Sequence, residues 1–206
     1  MNIRKEGVPF IAGALAFFAL LALTGSRFLR MIGIVPALFV TWFFRDPHRR
    51  APEGEHLFIS PADGTVLEVA ETFEDKVGPC TKVSIFMSVF SVHVNRSPVG
   101  GRVVEKRYRP GKFAMANLGK KTEENERMIL YLENEDGLFR VDQVAGLVAR
   151  RISCWPEQGE IVERGQKIGL IRFGSLLECY LPPVYHVLVR RGEGVTAGET
   201  ILARRA

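Results

Sequence analysis

The stretch Gly159-Glu-Ile-Val-Glu-Arg-Gly165-Gln-Lys-Ile-Gly169 carries the strongest signal about the fold. Its glycines are separated by short apolar segments, and 194–201 repeats the pattern near the C-terminus. Glycine permits the positive-φ turns that tight strand connections need, while the apolar residues between the turns can enter a small β core. Both segments therefore predict short strands joined by tight turns.

Short β-rich segments separated by Gly/Pro turns extend this pattern from Pro47 onward. The predicted strands include segments 65–70, 82–87, 102–107, 128–132, 139–145, 167–173 and 186–189. Many short strands at close spacing favour a β-barrel or sandwich. Because the glycine pattern also resembles the barrel-sandwich hybrid of biotinyl and lipoyl domains, we predict a mostly β, barrel-sandwich-hybrid-like domain over 47–206.

Two apolar segments, 8–24 and 31–44, precede the predicted β domain. As helices rising 1.5 Å per residue they would reach about 25 Å and about 21 Å, against about 30 Å of bilayer hydrocarbon. Aromatic residues directly before Arg45 are typical of a membrane interface with a positive flank. We therefore predict that 1–46 forms a membrane-anchoring helical hairpin. One span plus an interfacial segment, or core helices of a soluble protein, are the alternatives.

The net charge of +5 is concentrated in the N-terminal quarter of the chain. Residues 1–50 contain seven Lys/Arg and two Asp/Glu, whereas 51–206 contains 21 of each. A nucleic-acid-binding domain usually carries its positive charge on the folded domain, so no nucleic-acid partner is predicted. Basic residues flanking apolar segments instead favour an anionic membrane, and we predict the inner cell membrane with the β domain on its cytoplasmic face.

The three cysteines, Cys80, Cys154 and Cys179, are widely spaced and form no CxxC pair. Neither a disulfide framework nor a metal site is predicted from them. Free cysteines usually behave as small buried hydrophobic residues, which is what we expect in a reducing compartment.

The segment Gly169-Leu-Ile-Arg-Phe-Gly174-Ser175 is the first that suggests chemistry. An apolar strand leads into Gly-Ser, and glycine before serine leaves the preceding carbonyl sterically open. A serine hydroxyl held against that carbonyl can attack it if a base removes the hydroxyl proton and donors stabilise the oxyanion. A Gly-Ser pair alone is a common turn.

An aspartate and a histidine from two other segments complete a candidate set. Asp63 lies in Ser60-Pro-Ala-Asp63-Gly64, and His93 lies in Val92-His93-Val-Asn95-Arg96. Taken singly, most such aspartates cap turns and most such histidines are structural. Together with Ser175 they match the general arrangement of an activated hydroxyl.

Six further signals are short segments spread along the chain: Phe43-Phe-Arg-Asp-Pro47, Ser60-Pro-Ala-Asp-Gly64, Val92-His-Val-Asn-Arg-Ser-Pro98, Glu124-Asn-Glu-Arg127, Val144-Ala-Gly-Leu-Val-Ala-Arg-Arg-Ile152 and Gly169-Leu-Ile-Arg-Phe-Gly-Ser175. They occur in the order seen in the short phosphatidylserine decarboxylases, which this chain resembles from about residue 40 to 203. Each segment is a weak signal alone, whereas the ordered set is specific.

The resemblance implies an activity and a covalent cofactor. Ser175 would attack the Gly174 carbonyl, and residue 175 would become an N-terminal pyruvoyl group. The chain would then consist of 1–174 and 175–206, which stay associated, and would convert phosphatidylserine to phosphatidylethanolamine. The family assigns Asp63 and a histidine to activating Ser175.

The remaining candidate site residues are His93, Arg96 and Asn95. His93 is our candidate proton donor for decarboxylation, because histidine suits proton transfer near neutral pH. Arg96 and Asn95 are candidate substrate-binding residues, since a guanidinium group suits a phosphate or carboxylate, although a structural ion pair is an equal alternative for Arg96. No metal is predicted, and the sequence leaves homo-oligomerisation open.

The sequence also departs from the family. Longer members have a second histidine where Arg96 stands and an aspartate where Ser91 stands. After the cut, Leu176-Leu177-Glu178 replaces an expected basic residue and aspartate, which puts maturation rate or headgroup contacts in question. Three alternatives remain: a membrane-anchored barrel-sandwich adaptor without catalysis, a decarboxylase of an archaeal-type serine ether lipid, and a serine hydrolase. The last lacks a Gly-x-Ser-x-Gly elbow at Ser175.

Overall fold

The structure is a computed structural model that describes residues 2–112, 124–146, 152–172 and 175–206. Most of the regular structure is β, with apolar helix at the N-terminus, which confirms the predicted fold class. The chain forms two compact units, Met1–His48 and Arg49–Ala206. The predicted cleavage residue Gly174 lies outside the described residues.

The first unit contains two helices that pack against each other, α1 (Val8–Ala22) and α2 (Arg27–Phe43). Ser26 caps α2, its Oγ accepting a hydrogen bond from the Leu29 N–H, so this helix begins four residues before the predicted apolar segment. It also continues through Pro36. A short pairing of β1 (Asn2–Ile3) with β2 (Arg45–Asp46) joins the two ends of the unit.

Among the described residues, one helical stretch is long and apolar enough to cross a membrane: Lys5–Ala22, in which a 3-10 turn at Lys5–Gly7 leads into α1. Several large hydrophobic side chains of α1 are exposed, including those of Leu15, Phe17 and Leu20, although Ile11, Phe18 and Leu21 are partly buried. An apolar helix with this much exposed hydrophobic surface is typical of a segment surrounded by lipid or by another protein. The anchoring role of 1–46 stays a prediction.

The second unit contains fourteen strands within the described residues, and each of the seven predicted β segments overlaps one of them, whereas the strand Ser175–Leu181 was not predicted. They are β3 (Leu57–Ile59), β4 (Gly64–Glu74), β5 (Gly78–Met87), β6 (Val94–Arg96), β7 (Gly101–Arg109), β8 (Arg127–Asn134), β9 (Gly137–Ala145), β10 (Ile152–Cys154), β11 (Ile161–Val162), β12 (Lys167–Ile171), β13 (Ser175–Leu181), β14 (Tyr185–Val187), β15 (Gly194–Val195) and β16 (Ile201–Arg205).

Eight of these strands form a curled antiparallel sheet in the order β11-β7-β8-β9-β13-β5-β4-β15. Two three-stranded sheets, β10-β12-β6 and β14-β16-β3, complete the unit. Side chains from all three sheets enter one hydrophobic core, which includes Phe58, Val83, Val141, Ile171 and Leu202. The strand that begins at Ser175 is therefore central, with a hydrogen-bonded neighbour on each side.

The glycine pattern that predicted tight turns is borne out by the backbone. Gly159, Gly165 and Gly198 all have positive φ, at 93°, 81° and 77°. Side chains with a Cβ rarely adopt this conformation, so these positions require glycine. Cys80 and Cys179 are buried and Cys154 is partly buried, and all three are free thiols.

Candidate active site

Ser175 is the first residue of β13, the strand that lies between β5 and β9 in the large sheet. It is opposite Met87 of β5 and Ala145 of β9. Because alternate residues of a strand share a face, Ser175 points to the same side as Leu177 and Cys179, which belong to the core. The side chain is fully buried, and its Oγ has no hydrogen-bond partner within the described part of the chain.

His93 is also fully buried and lies just before β6. Its Nδ1 is 2.9 Å from the backbone oxygen of Ser91. A carbonyl oxygen only accepts hydrogen bonds, so Nδ1 carries the proton, and in the neutral ring the lone pair is on Nε2. The ring is therefore fixed in the tautomer that can accept a proton at Nε2.

The backbone places His93 beside the strand that leads to Ser175. The His93 carbonyl accepts a hydrogen bond from the Ile171 N–H (3.4 Å), and β6 pairs with β12 from this point onward. Ile171 is four residues before Ser175. The structure thus brings His93 to the end of β12 where the predicted cleavage segment begins.

Asp63 lies at the same end of the large sheet, two strands from Ser175. Its Oδ2 accepts a hydrogen bond from Arg49 Nη2 (3.0 Å), and its Oδ1 accepts one from the Ala197 N–H (2.7 Å). Two strand spacings correspond to about 10 Å. Among the described residues, no hydrogen bond joins Asp63 to Ser175 or His93; the aspartate instead holds two loops together.

The sequence matches one family model over most of its length. The phosphatidylserine decarboxylase model covers residues 37–203. A phosphatidylserine decarboxylase proenzyme from Syntrophus aciditrophicus is 47% identical over 97% of this chain and 96% of its own length. The proenzyme from Symbiobacterium thermophilum is 49% identical over 98% and 95%, and that from Trichlorobacter lovleyi is 46% identical over 98% and 96%.

The chain belongs to the phosphatidylserine decarboxylase family. Its relatives are named proenzymes, which indicates processing of a precursor. The resemblance stated from the sequence motifs is therefore confirmed.

Asn95, predicted to bind substrate, is fully buried in β6 of this decarboxylase-family chain. Its Oδ1 accepts a hydrogen bond from Gln143 Nε2 (2.8 Å), and its Nδ2 donates to Met87 Sδ (3.5 Å). Since Met87 is opposite Ser175, this chain of contacts lies directly beside the candidate nucleophile. Gln143 was not singled out from the sequence. What could have pointed to it is an uncharged polar residue at a core-facing position of the strand that became β9.

Arg96 lies at the other end of β6 from His93. Its Nη1 donates to the backbone oxygen of Gly165 (2.9 Å), and it pairs in register with Lys167, at the start of β12. With Arg49 and Arg164 it lines a cavity of about 260 Å³. Glu163 also lines this cavity, so its lining carries both signs of charge with arginines in excess. The register places Arg96 away from Ser175 along β12.

Glu178, three residues after Ser175, points to the opposite face of the sheet. Its Oε2 accepts a hydrogen bond from Arg127 Nη1 (3.0 Å), and the same Nη1 donates to Asp142 Oδ2 (2.9 Å). Asp142 is also bound by Arg140. Burial raises the pKa of Glu178, against the opposing effect of Arg127. Glu178, which departs from the expected family pattern, is thus part of a buried charge cluster.

In the part of the chain that the structure describes, one group of potential metal ligands lies elsewhere, at His56, Glu135 and Asp136. Asp136 already accepts hydrogen bonds from Tyr185, His56 and Arg205. Burial alone would raise the pKa of Asp136, but the hydrogen bonds from Tyr185 and His56 outweigh it and lower the pKa. The group therefore acts as an ion-pair cluster that attaches the C-terminal strand.

Proposed function

We propose that this chain is a pyruvoyl-dependent phosphatidylserine decarboxylase that cleaves itself between Gly174 and Ser175. The observation that carries the proposal is the position of Ser175: a fully buried serine at the first residue of the central strand, at the end of the segment that His93 contacts. Membership of a family whose members are named proenzymes supports the same conclusion.

The residues around position 175 fit a pyruvoyl group. The buried Ser175 hydroxyl has no hydrogen-bond partner among the described residues, and a buried donor without a partner costs about 1–3 kcal/mol. A ketone at this position has no hydrogen to donate. The main chain of β13, bonded to β9 and β5, would hold the group between Met87 and Ala145. When formed, it supplies an electron sink for the electrons left as CO2 departs.

The self-cleavage reaction uses only the chain and water. A base takes the Ser175 Oγ proton, Oγ bonds to the Gly174 carbonyl carbon, and the C–N bond breaks as the nitrogen gains a proton. Loss of the residue 175 α-proton then breaks the Cβ–O bond, which releases the Gly174 carboxylate and leaves dehydroalanine. Addition of water and loss of ammonia complete the ketone.

His93 is the proposed base for the first proton transfer. Its Nδ1–H is held by the Ser91 carbonyl, so Nε2 presents the lone pair. The same atom, once protonated, is the proposed proton donor after CO2 loss, because a histidine can pass one proton in each direction near neutral pH. Asp63, fixed by Arg49 at this end of the sheet, remains the proposed second activating residue.

The two products are proposed to remain associated as 1–174 and 175–206. Strand β13 belongs to the second product and lies between β9 and β5 of the first, with six residue pairs on one side and seven on the other. The Glu178–Arg127 ion pair crosses the same boundary. The backbone hydrogen bonds on both sides of β13 and the buried ion pair would all have to break before the fragments could separate.

The proposed substrate is phosphatidylserine at an anionic membrane, with 1–46 as the anchor and 47–206 as the decarboxylase domain on the cytoplasmic side of the inner membrane. The apolar helix Lys5–Ala22 and the exposed side chains of α1 support membrane attachment. Arg96 and Asn95 remain the proposed substrate-binding residues; the arginine-lined cavity supports an anion contact at Arg96 more directly than the buried Asn95 does.

A denaturing gel with intact-mass analysis of the purified protein tests the proposal. We expect two chains, 1–174 and 175–206, the second with a blocked N-terminus that reacts with a hydrazide probe, and release of CO2 from phosphatidylserine vesicles. A single full-length chain without decarboxylase activity would instead favour the non-catalytic adaptor. Activity on a serine ether lipid but not on the ester would identify the archaeal-type substrate.

A further inference from the structure

A second buried polar side chain faces the same core as Ser175. Gln143 is fully buried in β9, on the face that carries Val141 and Ala145. In the sheet register Gln143 is opposite Leu177, and Ser175 is opposite Ala145. The two polar residues are therefore diagonal neighbours on one face, with backbones about 7 Å apart, a span that a glutamine side chain can cross.

The carboxamide of Gln143 is held in one orientation. Its Nε2 donates to Asn95 Oδ1 (2.8 Å), while Asn95 Nδ2 donates to Met87 Sδ. Gly169 makes room for the group, since a Cβ at that position would lie 2.4 Å from Gln143 Nε2. With the nitrogen fixed by Asn95, the oxygen Oε1 must point elsewhere.

Gln143 Oε1 and Ser175 Oγ share an uncommon property. Both atoms are buried, and neither has a hydrogen-bond partner within the described ranges. Buried polar atoms are normally satisfied, so each such exception calls for a functional or structural reason. One atom is an acceptor and the other carries a hydrogen, so pairing them would break no described hydrogen bond.

We propose that Gln143 is a positioning residue for self-cleavage, whose carboxamide oxygen accepts a hydrogen bond from the Ser175 hydroxyl and sets its direction before attack on the Gly174 carbonyl. The inference rests on the proposed self-cleavage. A neutral amide suits this role because it is too weak a base to take the proton, so the hydroxyl gives up this hydrogen bond when its hydrogen turns to the base. Asn95 does not contact Ser175 in this proposal; it holds the Gln143 carboxamide in place by accepting the hydrogen bond from Nε2.

The test is the rate at which newly made full-length chain is converted into 1–174 and 175–206, followed on denaturing gels after cell-free synthesis with detergent. Gln143→Met keeps the size of the side chain and removes the oxygen. We expect it to slow cleavage about tenfold, the change that follows from losing one neutral hydrogen bond. Ser84→Ala is the matched control, because Ser84 Oγ is also buried without a described partner but lies opposite Glu178, on the other face of the sheet.

Gln143→Glu separates positioning from simple packing. A protonated carboxyl can donate to Asn95 and still offer an oxygen to Ser175, whereas a carboxylate has no hydrogen left for Asn95. We expect near-normal cleavage at low pH and a ratio of variant to wild-type rate that changes as pH rises. A residue that only packs would give Gln143→Glu and Gln143→Met the same cleavage rate at low pH. If Gln143→Met melts far below wild type, the rate of stably folded Gln143→Glu at low pH decides the question.

Two results would overturn the inference: cleavage of a stably folded Gln143→Met within twofold of wild type, or cleavage of a stably folded Gln143→Glu at low pH that is as slow as that of Gln143→Met. Both leave the proposed function intact, because wild type still cleaves. If wild type itself never cleaves, the proposed function fails, and this inference fails with it.

Discussion

Replacing Arg127 by methionine should destabilise the β domain strongly, because Arg127 neutralises a buried carboxylate that has little access to water. Glu178 is 6% exposed and its Oε2 is 3.0 Å from Arg127 Nη1. Two unit charges at that separation attract by about 5.5 kcal/mol at an effective dielectric of 20. The cost of burying the charges offsets part of this attraction in the intact pair, but after the substitution the carboxylate stays buried without its partner.

We therefore expect Arg127→Met to lower the free energy of unfolding by about 3 kcal/mol at pH 8, within the range for breaking a buried pair. Asp142 contributes little to this loss, because Arg140 still binds it at 2.7 and 2.6 Å. The companion Glu178→Gln should change stability by less than about 1 kcal/mol, since it removes the buried charge and keeps an acceptor. The double variant should recover most of the loss.

The pH dependence follows from the raised pKa of Glu178. An acid whose pKa is higher in the folded than in the unfolded state binds a proton more readily when folded. The stability gained from binding this proton is fully present below the pKa that the acid has in the unfolded state. It is lost as pH rises through the pKa that the acid has in the folded state. Loss of Arg127 raises the folded pKa further, so the cost of Arg127→Met should shrink between pH 8 and pH 5.5.

Urea unfolding of the full chain in detergent measures these values, with Ser175→Ala as the common background so that every variant is a single uncut chain. With Trp42→Phe also in this background, fluorescence of Trp155 reports on the β domain. The reasoning is refuted if Arg127→Met costs less than 1 kcal/mol at pH 8, if the cost grows at pH 5.5, or if Glu178→Gln destabilises as much as Arg127→Met.

Three further predictions concern the nucleophile, the proposed base and the C-terminal ion-pair cluster. Ser175→Ala should remain one full-length chain without decarboxylase activity, as seen by intact mass and CO2 release; an active variant would exclude the pyruvoyl mechanism. His93→Asn can still donate to the Ser91 carbonyl but lacks Nε2, so it should melt near wild type while activity falls at least about 100-fold; normal activity would remove His93 from the reaction. Asp136→Asn should lose about 2 kcal/mol at pH 7, because hydrogen bonds to the charged carboxylate, including that from Tyr185, are weakened. The lowered pKa of Asp136 means that this stabilisation is present above the unfolded pKa and disappears as pH falls through the folded one, so urea midpoints of the two proteins should converge in strong acid and diverge toward neutrality.

The sequence determined the family, the β class and the candidate nucleophile. Ordered motifs, alternating apolar residues and glycines at turns are local features, and each was readable without coordinates. The positive φ of Gly165 and Gly198 follows from such local patterns. Strand ends were less well predicted, as with β4, which extends four residues beyond the predicted segment to Glu74, because pairing with β5 decides where a strand stops.

Only the tertiary structure decided which polar side chains meet. Gln143 and Asn95 are 48 positions apart, and Glu178 and Arg127 are 51 apart, so nothing in the local pattern connects them. Strand order and register bring each pair together. Burial then gives the contacts their consequence, because a hydrogen bond or charge withdrawn from water must find its partner within the protein.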